Sequence, residues 1–485
     1  MVEQKSIKKN AVYNAVKTTS SILFPLISFP YVSRILLPEN IGKVNFASTF
    51  VGYFFLIATL GITTYAIREC SAARSDKKSL SDTASQIFSI NMCTTVASYI
   101  ILATTLIFFR GLDSYRTLIV ISSTTILFST LGADWLNSAM EDFKYITLRS
   151  IGFQIISLIA LFTFVKTEDD YIKYALIGVF SNSGANILNV AYRRRYCKVR
   201  FVKHIDWKKH LPPIMLLFSM LLSQQILTST DITMLGLMRN DYEVGIYSTA
   251  VRIISIVSQV IYSILWVLLP RLVAYSAGGK EKERNVLLRK ALCYFIGLGF
   301  PCITGLLVTA GSVIHIIAGT AYMAATPILM ILLGSFLFDL IGGAFIGNLI
   351  MLPAKNEKFF LYACLEAAAA NVILNYLFIP KYGMYAAAFA TVISRVISFI
   401  SLIIHVDKSI KIDNLLKVFK APVLGCICIA IVAFIIGRLS FVYWLSFIVT
   451  VALATIGYVF VLWLFKYDFL YNLMMQLKVK LKRKA

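Results

Sequence analysis

Charged residues are scarce in this chain, and that scarcity argues against an ordinary soluble protein. Only 15% of the 485 residues are charged and 58% are hydrophobic, which is more apolar surface than a soluble core can bury. The sequence also lacks the phosphate-binding pattern GxxxxGK[ST], because Gly278-Gly279-Lys280 is followed by Glu281. We therefore expect a flexible loop here, no nucleotide site, and an energy source other than direct use of ATP.

Long loops outside the predicted helices are absent as well. The longest outer loop, roughly residues 310–324, contains His315 and no acidic residue. A membrane glycosyltransferase or sugar polymerase would need catalytic carboxylates or arginines on larger loops, so the sequence disfavours an enzyme. The eight cysteines include no pair in the outer loops, so no disulfide is expected. No cofactor or metal is expected either.

Long apolar runs are what the sequence has in abundance. An apolar helix of about 20 residues crosses the roughly 30 Å hydrocarbon layer of a bilayer. The runs predict an all-α polytopic membrane protein with about fourteen transmembrane helices. They lie near residues 11–36, 41–67, 84–109, 115–138, 145–165, 171–192, 213–238, 244–270, 286–309, 325–352, 359–380, 383–406, 417–437 and 441–465.

The net charge of +23 would suggest nucleic acid as the partner of a soluble chain, but its distribution points to a membrane. With a cytoplasmic N-terminus, the inner segments hold 34 of the 47 basic residues and the outer loops hold 7. That asymmetry is the positive-inside rule. We therefore expect both termini in the cytoplasm, contacts of basic clusters with membrane lipids, and no nucleic acid. The first helix is expected to stay as an anchor.

The first twelve helices fall into two sets of six that look related. Aligning PENIGK with DYEVGI places Gly42 on Gly245 and Arg68 on Arg271, both at an offset of 203 residues. An even number of helices per set gives parallel repeats that enter from the same side. We predict a first six-helix bundle over residues 1–192, a basic cytoplasmic linker over 193–212, and a second bundle over 213–408. Two further helices and a basic tail occupy 409–485.

Polar side chains recur at helical spacing inside several apolar runs. Charged residues in a bilayer core are costly, so such stripes are expected to face a protein interior or a wet cavity. The stripes predict a cationic cavity that binds an anionic ligand, since guanidinium and ammonium groups bind phosphate oxygens. The candidate substrate-binding residues are Lys17, Arg34, Gln224, Arg252, Gln259, Arg395 and Asn186, the last on the stripe Asn182, Asn186, Asn189.

Three intramembrane acids are candidates for coupling transport to a proton or sodium gradient. They are Asp231, Asp339 and Glu366. The alternative is that these acids only fix helix packing, by pairing Arg252 with Asp231 and Arg395 with Asp339 or Glu366. Arg34 and Arg149 lie near helix ends, where we expect their side chains to reach the membrane interface.

Three stretches of the chain resemble a known family. They are FPYVSRILLPENIGKVNFASTFVGYFFLIATLGITTYAIRE at 29–69, DWLNSAMEDFKYITLRS at 134–150 and TDITMLGLMRNDYEVGIYSTAVRI at 230–253. In order and spacing they resemble the Wzx-type O-antigen and polysaccharide flippases of the multidrug/oligosaccharidyl-lipid/polysaccharide exporter superfamily. The likeness covers about residues 5–470, and Ala139 departs from it where glycine is expected.

The resemblance implies a MATE-like fold and a flippase of the bacterial inner membrane. Its substrate would be an undecaprenyl-diphosphate-linked oligosaccharide, moved from the cytoplasmic to the periplasmic leaflet by alternating access during O-antigen, lipopolysaccharide or capsule assembly. Other polysaccharide-assembly proteins are candidate partners. A multidrug or cation antiporter of the same superfamily is the first rival, although its first helix should carry an acid where this chain has Lys17. The two other rival functions are a membrane enzyme of glycan assembly and a structural scaffold.

Overall fold

The computed structural model describes residues 7–406, 410, 414–439 and 443–468. Within those ranges the chain forms helices and turns, and no strand is present. Eleven of the described helical stretches are long and apolar enough to cross a membrane. The predicted all-α polytopic membrane fold is confirmed, with fourteen long helices among the described residues. Packing groups the chain into two compact units, Met1–Gly245 and Ile246–Ala485. The predicted division at residues 193–212 stays a prediction.

The first unit consists of long helices joined by short turns. In chain order they are α1 (Ile7–Thr59), α2 (Ile62–Ala72), α3 (Lys77–Phe108), α4 (Arg116–Gly132), α5 (Asp134–Ala139), α6 (Phe143–Phe164), α7 (Tyr171–Val179), a π-helical segment (Phe180–Gly184), α8 (Ala185–Tyr192) and α9 (Trp207–Met238). Short 3₁₀ turns lie at Arg110–Tyr115, Glu168–Asp170 and Arg193–Arg195.

Helix α1 contains the first predicted span and most of the second. The backbone bends between them at Leu37 (φ 60°, ψ 170°), the residue before Pro38, where the helical conformation is disfavoured. The second predicted span was expected to continue to residue 67, and that was wrong. Positive φ angles at Leu60 (45°) and Gly61 (73°) end α1, and a new helix begins two residues later.

The predicted helix over residues 115–138 is also interrupted. Helix α4 ends at Gly132, and Ala133 adopts the left-handed conformation (φ 45°, ψ 49°) before α5 begins at Asp134. An L-residue rarely adopts this conformation, so neighbouring contacts must hold it. The break places the Asp134 carboxylate at the start of α5 instead of in the middle of one long helix.

The predicted basic linker follows the surface of α3 for part of its length. Ser81, Ser85 and Ser89 are spaced four residues apart, so they form one stripe along α3. The carbonyl of Lys198 accepts hydrogen bonds from the first two hydroxyls (2.6 and 3.3 Å), and the amide of Val202 donates to the third (2.8 Å). Helix α9 then begins at Trp207, five residues before the predicted end of the linker.

The second unit continues from the helix that the chain enters after Arg239. Its helices are α10 (Asp241–Tyr262), whose first residues belong to the first unit, α11 (Leu265–Ala277), α12 (Glu281–Ile317), α13 (Ala325–Asp339), a π-helical segment (Leu340–Met351), α14 (Glu357–Tyr382), α15 (Met384–Ile404), α16 (Leu415–Arg438) and α17 (Tyr443–Leu464). A 3₁₀ turn lies at Thr320–Tyr322.

The structure repeats one local pattern at the offset that the alignment found. Helix α10 ends at Tyr262 and α11 begins at Leu265, each 203 residues after the corresponding boundary at Thr59 and Ile62. A long helix, a two-residue break and a short helix therefore occur twice. This agreement supports the predicted internal repeat.

The last two helices, which the repeat does not include, pack on α12. The Tyr458 hydroxyl of α17 donates to the carbonyl of Gly297 (2.9 Å), and that of Tyr467 donates to the carbonyl of Cys293 (3.1 Å). Because unpaired polar groups are costly in a bilayer, these bonds allow tyrosine hydroxyls to be buried in an apolar core.

Candidate functional site

The first unit encloses a polar cavity of about 420 Å³ among its membrane-spanning helices. Its walls come from α1 to α6, the π-helical segment and α8. Most lining side chains carry hydroxyl, amide or charged groups: Lys17, Ser21, Thr59, Thr63, Asn91, Ser129, Asp134, Ser138, Arg149, Ser150, Gln154, Ser181, Asn182 and Asn186. A cavity of this polarity in apolar helices has the character of a binding site rather than of a packing defect.

An ion pair between α5 and α6 lies on the cavity wall. Arg149 Nη2 lies 2.9 Å from Asp134 Oδ1, and the arginine side chain is 4% exposed. The same carboxylate oxygen accepts from the amides of Asn137 (3.0 Å) and Asn189 (3.1 Å), while Arg149 Nη1 donates to the carbonyl of Ala185 (3.2 Å). The prediction that Arg149 reaches the membrane interface is therefore wrong, since this network holds it inside the unit.

The predicted asparagine stripe faces this cavity. Asn182 and Asn186 line it, and the fully buried Asn189 reaches Asp134. The π-helical segment just before α8 belongs to the same wall; such segments are frequent at functional sites because they widen one turn of a helix. A Cβ on Gly132 would lie 2.5 Å from Asn186 Cβ, so α4 and α8 approach closely here.

Lys17 is the second cation on the cavity wall. It lies on α1, where its carbonyl accepts a hydrogen bond from the Ser21 hydroxyl (3.0 Å). Among the described residues Lys17 forms no ion pair. Its ammonium group can therefore serve a ligand without first breaking a bond to a carboxylate.

Three other candidates of the first unit do not line this cavity. Arg34 is exposed on α1 and donates to the carbonyl of Pro30. Gln224 is exposed on α9, and its carbonyl accepts from Thr228 (3.0 Å). Asp231 is buried on the same helix, with 4% of its surface exposed.

The second unit contains a separate polar cluster around Asp339. Arg395 Nη1 lies 2.9 Å from Asp339 Oδ1, and the Tyr262 hydroxyl donates to the other carboxylate oxygen (2.7 Å). The packing alternative for Arg395 is thus the arrangement observed, with Asp339 as its partner. Glu366 is exposed on α14 and does not belong to this cluster.

The two candidates on α10 lie on the same helical stripe. Arg252 is half-buried, and its carbonyl accepts from the Ser255 hydroxyl (2.8 Å). Gln259 is exposed and donates to the carbonyl of Ser255 (3.2 Å). Their predicted contact with substrate stays a prediction.

Sequence reasoning did not single out Asp134, the acid around which the cavity network is organised. The predicted helix over residues 115–138 contains it, and the sequence pattern assigns it no role. A usable signal was present, because a carboxylate and an arginine 15 residues apart both fall within apolar runs, where charges are normally paired. Among the described residues, no cluster of three or more histidine, cysteine or acidic side chains could hold a metal ion.

The chain is similar to proteins named for the synthesis or transport of polysaccharides. The family described as polysaccharide biosynthesis protein matches residues 7–276. The chain is 23% identical to a putative O-antigen transporter of Escherichia coli strain K12 over 381 residues, which is 76% of this chain and 89% of that protein. It is 24% identical to the capsular polysaccharide biosynthesis protein CapF of Staphylococcus aureus over 403 residues, 81% of this chain and 97% of that protein.

The fold is similar to that of a solved lipid transporter. The lipid II flippase MurJ, in an inward closed conformation, matches with a TM-score of 0.70 and 17% identity, covering 97% of this chain and all of that one. The predicted likeness to polysaccharide flippases is confirmed, and the chain is a multi-pass membrane protein. Because the family match spans more than half of its residues, the chain belongs to the polysaccharide biosynthesis protein family.

Proposed function

We propose that this chain is a flippase for oligosaccharides linked to a polyprenyl diphosphate, such as units of O antigen or of capsular polysaccharide. It would move them from the cytoplasmic to the periplasmic leaflet of a bacterial inner membrane. The observation that carries this proposal is the polar cavity within the membrane-spanning helices of the first unit. The relatives support it, since one is named an O-antigen transporter and the solved neighbour a lipid II flippase.

The charge of the cavity wall suits a diphosphate. Lys17 and Arg149 carry two positive charges against the one negative charge of Asp134, so the wall has an excess of positive charge. A diphosphate cannot cross hydrocarbon without compensation of its charge, and an ammonium group with surrounding hydroxyl and amide donors provides that compensation. Arg149 is already committed to Asp134, so Lys17 is the cation that we assign to the substrate.

The position of the cavity suits loading from one leaflet. Arg149 lies six residues after the start of α6 at Phe143, about 9 Å along the helix. If the basic segments lie in the cytoplasm, as the positive-inside rule predicts, this end of α6 is cytoplasmic. The cavity then lies within reach of the inner leaflet, where lipid-linked oligosaccharides would be collected.

The rivals are weaker on the same observations. A drug or cation antiporter should present an acid on its first helix, whereas α1 presents Lys17 to the cavity. A membrane enzyme would need catalytic groups on extended loops. We propose a transporter without enzymatic activity, driven by a proton or sodium gradient, with Asp231, Asp339 and Glu366 as candidate coupling acids.

Deletion of the gene tests the proposed function. Lipid-linked oligosaccharide should accumulate on the cytoplasmic leaflet and surface glycan should be lost, with both defects reversed by the wild-type gene. Normal surface glycan combined with new drug sensitivity would favour the antiporter instead. Elongation of glycan chains by the purified protein would contradict the transporter assignment.

A further inference from the structure

Helices α1 and α6 run in the same direction and in constant register. The Thr147 hydroxyl donates to the carbonyl of Tyr13 (2.9 Å), and the Tyr31 hydroxyl donates to the carbonyl of Val165 (2.9 Å). Both pairs are separated by 134 residues. The two bonds fix the helix pair at two heights, 18 residues apart along α1.

An apolar groove of about 470 Å³ runs along this helix pair. Its walls include Val12, Val16, Leu23 and Ile27 of α1 and Ile155 and Leu158 of α6. From its first to its last residue on α1 the groove extends about 22 Å. Several wall residues are about half exposed, so the groove is open along its length and has the shape of a site for a hydrocarbon chain.

The groove and the polar cavity adjoin at one residue. Gln154 lines both of them. On α1, Ser20 lines the groove, whereas Lys17 and Ser21 line the cavity. The Ser20 hydroxyl donates to Gln154 Oε1, again at an offset of 134 residues, so this hydrogen bond stands at the boundary between the apolar and polar compartments.

We propose that the groove between α1 and α6 binds the polyprenyl chain of the substrate while the diphosphate lies in the polar cavity. The bond that joins the polyprenyl chain to the diphosphate then lies next to Gln154, which lines both compartments. This inference rests on the proposed function, because it assigns a place to each half of the same substrate. A molecule with a hydrocarbon chain joined to an anionic group matches an apolar groove that adjoins a cationic cavity. One hydrogen bond between neutral side chains is cheap to open.

Binding of two probes to the purified full-length chain in nanodiscs tests the proposal. Undecaprenyl diphosphate has both halves of the ligand, and inorganic diphosphate has only the anionic half. Ile155→Trp fills the groove, so we expect it to weaken undecaprenyl diphosphate binding by about tenfold and to leave inorganic diphosphate binding unchanged. Val16→Trp, on the opposite wall, should act in the same way.

Ile156→Trp is the matched control. Ile156 is the next residue of α6 and is 52% exposed against 54% for Ile155, but it does not line the groove. It should bind both probes like the wild type. Undiminished binding of undecaprenyl diphosphate by both groove variants would overturn the proposal. So would displacement of that probe from the wild type by added phosphatidylglycerol, since the groove would then hold bulk lipid.

Lys17→Ala separates this inference from the proposed function. This variant should weaken the binding of both probes, because it removes a cation from the cavity that holds the diphosphate group. If Lys17→Ala weakens the binding of neither probe, the assignment of Lys17 to the diphosphate fails, and the proposed function loses its anion site. If Lys17→Ala acts as expected and the groove variants have no effect, only the groove assignment fails.

Discussion

At the scale of single residues, two cations on one cavity wall have different roles. Arg149 is almost completely buried and bound to Asp134 and the Ala185 carbonyl. Lys17 lines the same cavity and forms no ion pair among the described residues. Arg149 therefore organises the wall, whereas the charge of Lys17 is available to a ligand.

A double-mutant cycle tests the structural role of Arg149. Removing one partner of a buried pair leaves the other charge uncompensated, so Arg149→Met and Asp134→Asn should each lower the free energy of unfolding by about 3 kcal/mol. The double variant should lose clearly less than the sum of the two. Unfolding titrations in detergent measure all four proteins, and additive losses would show that the pair contributes no coupling.

The sequence could predict that these residues are unusual but not that they meet. Charges in apolar runs and an asparagine stripe are visible in the letters, and the structure places Asn182, Asn186 and Lys17 on one cavity. Arg149 meets Asp134 at the first residue of α5, directly after the left-handed backbone at Ala133. No local preference of alanine predicts that conformation, so the expectation that Arg149 reaches the interface failed.

At the scale of helices, two glycines allow backbones to touch. A Cβ on Gly42 would lie 1.8 Å from the Asp241 carbonyl oxygen, and a Cβ on Gly245 would lie 1.9 Å from that of Pro38. The two glycines are 203 residues apart, and so are their two contact partners. The first turns of the equivalent helices therefore pack through the same positions, as small residues allow in membranes.

Gly42→Ala should be destabilising, because its Cβ would collide with backbone that cannot rotate away. Overpacking of this kind costs about 1–3 kcal/mol, measured as a loss in the free energy of unfolding. Gly178→Ala is the control, since nothing lies within 4 Å of its added Cβ. Alanine should there be neutral or stabilising by up to about 1 kcal/mol. Equal losses in the two variants would contradict the close approach.

The sequence predicts where helices form better than it predicts where they are interrupted. Each apolar run produced a helix, because length and hydropathy are properties of the run itself. The breaks at Gly61 and Ala133 and the π-helical segments were missed, since tertiary contacts decide them. The pattern of Gly42 and Gly245 was visible beforehand, but the alignment did not reveal that they form one contact.

At the scale of the whole molecule, each unit has its own polar centre. The first has the cavity with Lys17, and the second has Asp339 with Arg395 and Tyr262. Arg395 was predicted to bind substrate; it pairs with Asp339, and its contact with substrate stays a prediction. The contributions of Arg34, Gln224, Arg252 and Gln259 to a substrate site stay predictions.

The most direct test of the central claim is a flipping assay in proteoliposomes. Undecaprenyl-diphosphate-linked oligosaccharide is scored by its accessibility to a membrane-impermeant glycosidase, with and without an imposed proton or sodium gradient. Wild-type protein should move the lipid faster than protein-free liposomes, and Lys17→Ala should slow it by about tenfold, since a charge-assisted contact is lost. Lys43→Ala on the same helix, whose cation pairs with Glu39, should match the wild type. A wild-type rate equal to that of protein-free liposomes, or a Lys17→Ala rate equal to that of the wild type, would contradict the account.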